Sequence, residues 1–235
     1  MAALTSFPIG YRAVVVGTTG GIGQAFIENL RTDANCAEVI ALSRSTVPRL
    51  DLQDEASVEA AAAMLALGGP VHLVIDATGI LHDAEMKPEK SIDAVDPENM
   101  ARAFAINATG PLLLLKHFHR LLPRDERSVF ATLSARVGSI EDNRLGGWYG
   151  YRASKAALNM FLRTAAIEIA RKRRHAVCLA LHPGTVKTGL SEPFSSSRKR
   201  FEPEQAASLL LNVINRATSD DTGSFLAYDG SVIPW

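Results

Sequence analysis

Ala13-Val-Val-Val-Gly-Thr-Thr-Gly-Gly-Ile-Gly23 decides the fold of this chain. Ala13 to Val16 is an apolar, mostly β-branched run, as expected of a strand buried on both faces. The glycines that follow open a helical pattern over 22–31. Glycine lets backbone pass close to backbone and to a ligand, and the unpaired N–H groups of a helix start face whatever lies in front of them. A glycine-rich turn between a first strand and a first helix is therefore read as a dinucleotide pyrophosphate cradle. Gly17, Thr18, Thr19, Gly21, Ile22 and Gly23 are its candidate contacts.

Outward from this stretch the pattern repeats. Apolar runs at Glu38–Leu42, Val71–Ile75, Ser128–Thr132, Ala176–Leu181 and Ser224–Tyr228 alternate with helical patterns near 55–67, 97–121, 151–173 and 203–217. Pro97 and Pro203 stand where helices begin. The alternation predicts an α/β fold. It is a Rossmann-type, doubly wound parallel sheet in three α/β/α layers, a single NAD(P)-binding domain over residues 1–235. The regularity breaks once. Only Ser43 to Arg49 separates Leu42 from Leu50-Asp51, too short for a crossover helix, so a strand or a helix is abbreviated there.

Composition narrows the function. The 235 residues are 47% hydrophobic, enough for one large core, and 25 basic residues balance 25 acidic ones. Zero net charge argues against a nucleic-acid or an anionic-membrane surface. The basic run Arg171–Arg174 reads as a solvated helix end. Cys36 and Cys178 read as reduced, buried thiols of a cytoplasmic protein. No signal peptide or membrane-length apolar run is evident, and no metal-ligand pattern. Ser195–Arg200 is polar and reads as a candidate lid over the site.

Cofactor choice is read just after the second strand. An acid there suits the NAD ribose and an arginine suits the NADP phosphate. The sequence is Leu42-Ser43-Arg44-Ser45. NADP(H) is therefore preferred, with NAD(H) the alternative, and Ser43 and Arg44 are the contacts. Asp51, with Leu52 beside it, comes too late for the ribose and is placed at the end of the abbreviated strand, within reach of the adenine amino group.

Tyr151 and Lys155 stand four apart in Tyr149-Gly-Tyr-Arg-Ala-Ser-Lys155, so a helix puts them on one face. An ammonium beside a phenol favours the phenolate, drawing it down from about 10 toward catalytic usefulness.

Taken together, these stretches resemble the short-chain dehydrogenase/reductases over essentially the whole chain. The matching motifs are Gly17-x-x-x-Gly21-x-Gly23, Asp76-Ala-Thr-Gly79, Asn107 in Ile106–Pro111, Tyr151-x-x-x-Lys155 and His182-Pro-Gly-Thr-Val-Lys-Thr188. Gly138-Ser-Ile140, Gly147–Asn159 and Tyr228–Trp235 resemble the C-factor and sniffer-type carbonyl reductase branch. The resemblance implies hydride transfer between the nicotinamide and an aldehyde or ketone (or the reverse from an alcohol), with Tyr151 giving the proton. Lys155 would hold the nicotinamide ribose and lower the Tyr151 pKa. Asn107 would hold a water that links Lys155 to solvent. Ala77, Thr78, Gly79, Pro183, Gly184, Val186 and Thr188 would line the cofactor. A homodimer or homotetramer built on the two long helices is also implied, with Met160, Ala165 and Ala166 among the contact residues. The alternative within the branch is an NADP(H)-binding signalling protein with little turnover.

Two positions depart from the family pattern. Asp76 replaces an asparagine and reads as a backbone-bonding residue. The serine expected three before Gly138 is Ala135. Ser134 is taken as the substitute carbonyl donor, and Ser139 is the other candidate. Leu190, Pro193 and Phe194 are the apolar cover expected over the substrate, with Trp148 and Tyr149 at the pocket mouth.

Overall fold

The computed structural model describes residues 3–194 and 200–235. Its centre is a six-stranded, all-parallel sheet: β1 (Tyr11–Val16), β2 (Cys36–Leu42), β3 (Leu73–Asp76), β4 (Ser128–Leu133), β5 (Ala176–His182) and β6 (Ser224–Ala227). The strand order is β2-β1-β3-β4-β5-β6. The chain first winds one way from β1 and then the other, so the order reverses between β1 and β3. Ligands of such sheets bind in the crevice at the carboxyl ends of the strands at that switch point.

Helices α1 (Gly21–Arg31) and α6 (Pro203–Arg216) cover one face. There Ala13, Val15, Leu73 and Ile75 pack on Phe26, Leu30, Leu210 and Ile214. Helices α2 (Glu55–Ala66), α3 (Pro97–Phe104), α4 (Gly110–Phe118) and α5 (Tyr149–Ala170) lie on the other side of the sheet. There Val14, Val16, Val74 and Phe130 pack on Val58, Leu114 and Leu162. Burial on both faces explains why the strands read as continuous apolar runs. The expected helix starts hold: Pro97 and Pro203 occupy first turns, and Asp96 caps α3 by accepting the Asn99 N–H.

The irregular connection after β2 resolves into two losses. The crossover helix is missing, replaced by a turn in which Thr46 Oγ1 accepts the Ser43 N–H. The strand is reduced to a single bridge between Ser43 and Arg49. Asp51 therefore lies beyond a bridge, not at the end of a strand. The expected helix over 97–121 is interrupted as well. A π-helical turn, Ala105–Thr109, separates α3 from α4, and Asn107 sits in its middle. Ala166, expected at a subunit contact, is core and 1% exposed.

Candidate active site

Two adjoining cavities open at the carboxyl edge of the sheet. The first, about 400 Å³, runs from Gly17, Thr19 and Gly20 past Ser43, Arg44, Asp51 and Leu52 to Ala77, Thr78 and Gly79. Glycine is required on its floor. Gly17 has φ +86°, and a Cβ on Gly23 would stand 2.3 Å from the Gly17 carbonyl oxygen. This close approach fixes the start of α1 against the end of β1. No side chain caps that helix and no acid lies in its first turn, so its N–H groups face the cleft. The cradle fits a pyrophosphate on geometry and on charge.

Of the expected cradle residues, Thr18 is turned away, its hydroxyl directed at the Leu42 carbonyl. Gly20, at the helix N-cap, lines the cleft instead. The glycine run held the signal for it. At the far end Arg44 is exposed, and among the described residues it has no ion-pair partner. Asp51 accepts from Arg49 at 2.7 Å and from the Gln53 N–H at 3.2 Å.

Helix α5 presents the tyrosine and the lysine. Its start is set from outside: Trp148, in the left-handed region at φ 53°, turns the chain, and the buried Glu89 carboxylate accepts the Gly150 N–H at 3.1 Å. A carboxylate at a helix N-terminus is favoured by the helix dipole. Tyr151 opens onto the second cavity. Lys155 is 3% exposed and donates to the Leu133 carbonyl at 2.8 Å. Its Nζ lies 3.4 Å from where a Cβ on Gly79 would stand, so the ammonium sits directly under the floor of the first cavity. The pair thus straddles the junction of the two cavities.

The electrostatics differ from the sequence expectation in one respect. Burial pushes the Tyr151 phenol up to about 12, and Lys155 does not draw it down. Burial also pulls Lys155 down to about 8, against the opposing pull of Asp76. Asp76 is wholly buried but well bonded. It accepts from Thr132 Oγ1 at 2.6 Å, the Thr78 N–H at 3.0 Å and Thr78 Oγ1 at 2.5 Å. The acid in place of asparagine therefore ties β3 to β4 and to the following loop.

Asn107 is buried and its amide is held on both sides. Oδ1 accepts the Ile80 N–H at 2.7 Å, while Nδ2 donates to the Ile80 carbonyl and to Ser154 Oγ. Ser154 in turn donates to the Tyr151 carbonyl. The side chain clamps the loop after Gly79 to the first turns of α5.

The second cavity, about 460 Å³, is bounded by Ile22, Leu81, Trp148, Tyr151, Leu190 and Phe194, and by the segment His182–Val186 with Thr188. Trp148 meets Tyr151 and Phe194 edge-on, at 6.2 and 5.3 Å between ring centres. Leu190 and Phe194 supply the expected apolar cover, whereas Pro193 and Tyr149 do not reach the wall. Of the lid segment, residues 195–199 lie outside the described residues. The serine assignment needs correction. Ser134 borders the cavity, but its hydroxyl is directed at α5 and donates to Asn159 Oδ1 at 2.7 Å. On a strand that alternates faces, Ser134 follows Thr132 toward the helix. Ser139 is 1% exposed and accepts the Asp142 N–H. The Ser134 proton is committed to Asn159, and Ser139 does not line the cavity.

The chain is similar to known proteins over most of its length. Residues 22–233 match the family model described as enoyl-(acyl carrier protein) reductase. The chain is 32% identical over 231 residues to 1-hydroxy-2-glutathionyl-2-methyl-3-butene dehydrogenase of Rhodococcus sp. (strain AD45), covering 94% of this chain and 98% of the relative. It is 32% identical over 167 residues to C-signal of Myxococcus xanthus, covering 71% and 94% of the two chains. The crystal structure of NADPH-bound carbonyl reductase from chicken fatty liver superposes with TM-score 0.84 at 27% identity, covering 97% of this chain and all of that one. The chain belongs to the short-chain dehydrogenase/reductase family and is an oxidoreductase of that type.

Proposed function

We propose that this protein is an NADP(H)-dependent carbonyl reductase, working on an aldehyde or ketone or in reverse on the alcohol. The observation that carries the reading is the placement of Tyr151 and Lys155. The phenol opens into an apolar pocket, while the ammonium lies under the adjoining cleft whose glycine floor suits a dinucleotide. Gly17, Thr19, Gly20 and the start of α1 would hold the pyrophosphate, Ser43 and Arg44 the 2′-phosphate, and Asp51 the adenine amino group. Ala77 to Gly79, Lys155, Pro183, Gly184, Val186 and Thr188 would hold the nicotinamide riboside. The bound nicotinamide supplies the hydride. Tyr151, kept protonated by burial, donates its proton to the carbonyl oxygen, and Lys155 orients the ribose beside it. Asn107 keeps α5 and the loop after Gly79 in register. Trp148, Leu190 and Phe194 exclude water and favour an apolar substrate.

The whole chain would act as one NAD(P)-binding domain in the cytoplasm. Met160 and Ile167, 64% and 50% exposed on α5, suit a homodimer or homotetramer contact. Among the described residues no helix is long and apolar enough to cross a membrane.

Ala135 favours a second reading. Without a serine beside the tyrosine, the protein would bind NADP(H) and signal with little turnover, as the likeness to C-signal suggests. Titration with NADPH and NADH, followed by NADPH oxidation against a panel of aldehydes and ketones, separates the two. The reductase reading expects tight NADPH binding and turnover. Tight binding with no turnover across the panel favours the signalling protein.

A further inference from the structure

We propose that His182 is the side chain that hydrogen-bonds the substrate carbonyl in this protein, the task left open by Ala135. The proposal rests on the reductase reading above and names a further catalytic residue for it.

The strand register sets the ring in place. Leu133 of β4 pairs with Leu181 of β5, so Ser134 and His182 are the next residues along adjacent strands. The Ser134 N–H donates to the Leu181 carbonyl at 2.8 Å, and the Arg136 N–H donates to His182 Nδ1 at 3.3 Å. The imidazole is therefore tied at Nδ1 to the backbone just past Ala135. It lines the same cavity as Tyr151.

The bond from Arg136 also sets the tautomer. A backbone N–H only donates, so Nδ1 is the unprotonated nitrogen and the proton of the neutral ring sits on Nε2. Among the described residues, no bond engages Nε2. Burial and the neighbouring Arg136 hold the ring well below its ordinary range, at about 4, with Asp229 pulling weakly the other way. His182 is thus a neutral N–H donor throughout the working pH range, a state in which imidazole can polarise a carbonyl without giving up its proton. The other cationic groups of the wall are engaged. Arg152 donates to the Gly147, Val137 and Gly146 carbonyls, and Arg136 pairs with Asp142 at 3.3 Å.

In reduction, the hydride of NADPH forms the new C–H bond and the carbonyl π pair moves to oxygen. Tyr151 gives that oxygen its proton. His182 keeps its own proton and stabilises the developing negative charge through Nε2–H. Loss of one such donor lowers kcat by about 100-fold or more.

Three variants test this in the full chain: His182→Phe, His182→Gln and the double variant His182→Phe with Ala135→Ser. The expected result is a fall in kcat of about 100-fold for His182→Phe, with KM and NADPH affinity little changed. Partial recovery is expected in His182→Gln, which keeps an N–H donor, and in the double variant, which restores a hydroxyl. A merely structural role would not be rescued from Ala135. Retention of kcat within about threefold in His182→Phe, with Tyr151→Phe inactive, overturns this proposal and leaves the reductase reading standing. Turnover surviving in Tyr151→Phe overturns the reductase reading itself. Imidazole ¹⁵N NMR, with His182 assigned by its loss in the variant, needs no substrate. The expected ring is Nε2-protonated and does not titrate between about pH 5 and 8; an Nδ1-protonated ring contradicts the proposal.

Discussion

The Lys155 ammonium donates to the carbonyl of Leu133 at 2.8 Å, joining the catalytic helix to the last residue of β4. The bond anchors the charge in the fold. Burial nevertheless lowers Lys155 to about 8, and Asp76 is the group that opposes the drop.

A pH profile follows from this pairing. Above the Lys155 pKa the ammonium becomes neutral and its hold on the ribose weakens. Tyr151 remains protonated until about 12. Reduction should therefore decline on the alkaline side with an apparent pKa near 8, set by the lysine and not by the tyrosine. In Asp76→Asn the support for the charged lysine is removed, so the alkaline limb should move to lower pH. A limb that stays in place would show that Asp76 does not act on Lys155.

The cradle makes a sharper steric prediction. A Cβ at Gly23 meets the Gly17 carbonyl at 2.3 Å, whereas one at Gly189 meets nothing within 4 Å. Gly23→Ala should lose about 1–3 kcal/mol of stability and most of its NADPH affinity. Gly189→Ala should stay within about 0.5 kcal/mol of the parent protein. Thermal melts and NADPH titrations of the two variants check this.

Arg44 is the discriminating cation of the proposed adenosine end. Arg44→Ala should weaken NADPH binding by about 1.5–3 kcal/mol, the range for hydrogen bonds to charged groups, or roughly tenfold or more. NADH binding should be unaffected. Equal losses for both cofactors would remove the role assigned to the arginine.

Acid stability should report His182. Its unfolded ring titrates near 6.5 and its folded ring near 4. Above 6.5 both states are neutral and stability is complete. As pH falls from 6.5 toward 4 the unfolded chain takes up a proton that the folded chain refuses, so stability is lost across that window. Denaturant midpoints should fall between those pH values in the parent protein and less steeply in His182→Phe.

Much of this site was legible in the sequence because it rests on local chemistry. Glycine spacing, a Tyr and a Lys one helical turn apart, and prolines at helix starts each have one natural structural meaning. What stayed hidden depends on neighbours far away in the chain. The π-turn around Asn107 has no compositional signature, and the bonds that hold its amide come from Ile80 and Ser154. Ser134 adjoins Ala135 in the sequence, but its hydroxyl goes to Asn159, 25 residues on. The upward shift of Tyr151 reflects burial, which residue spacing does not report. His182 was legible only as part of the His182–Thr188 motif; its proposed role depends on a bond from the Arg136 N–H, in the turn that follows β4.

The central claim is that Tyr151 delivers the proton that accompanies hydride transfer from NADPH. Its most direct test is NADPH oxidation by the parent protein and by Tyr151→Phe, on the carbonyl compound the parent turns over best, with NADPH affinity measured in parallel. Turnover should fall by about 100-fold or more while NADPH affinity holds. Undiminished turnover in Tyr151→Phe would contradict it.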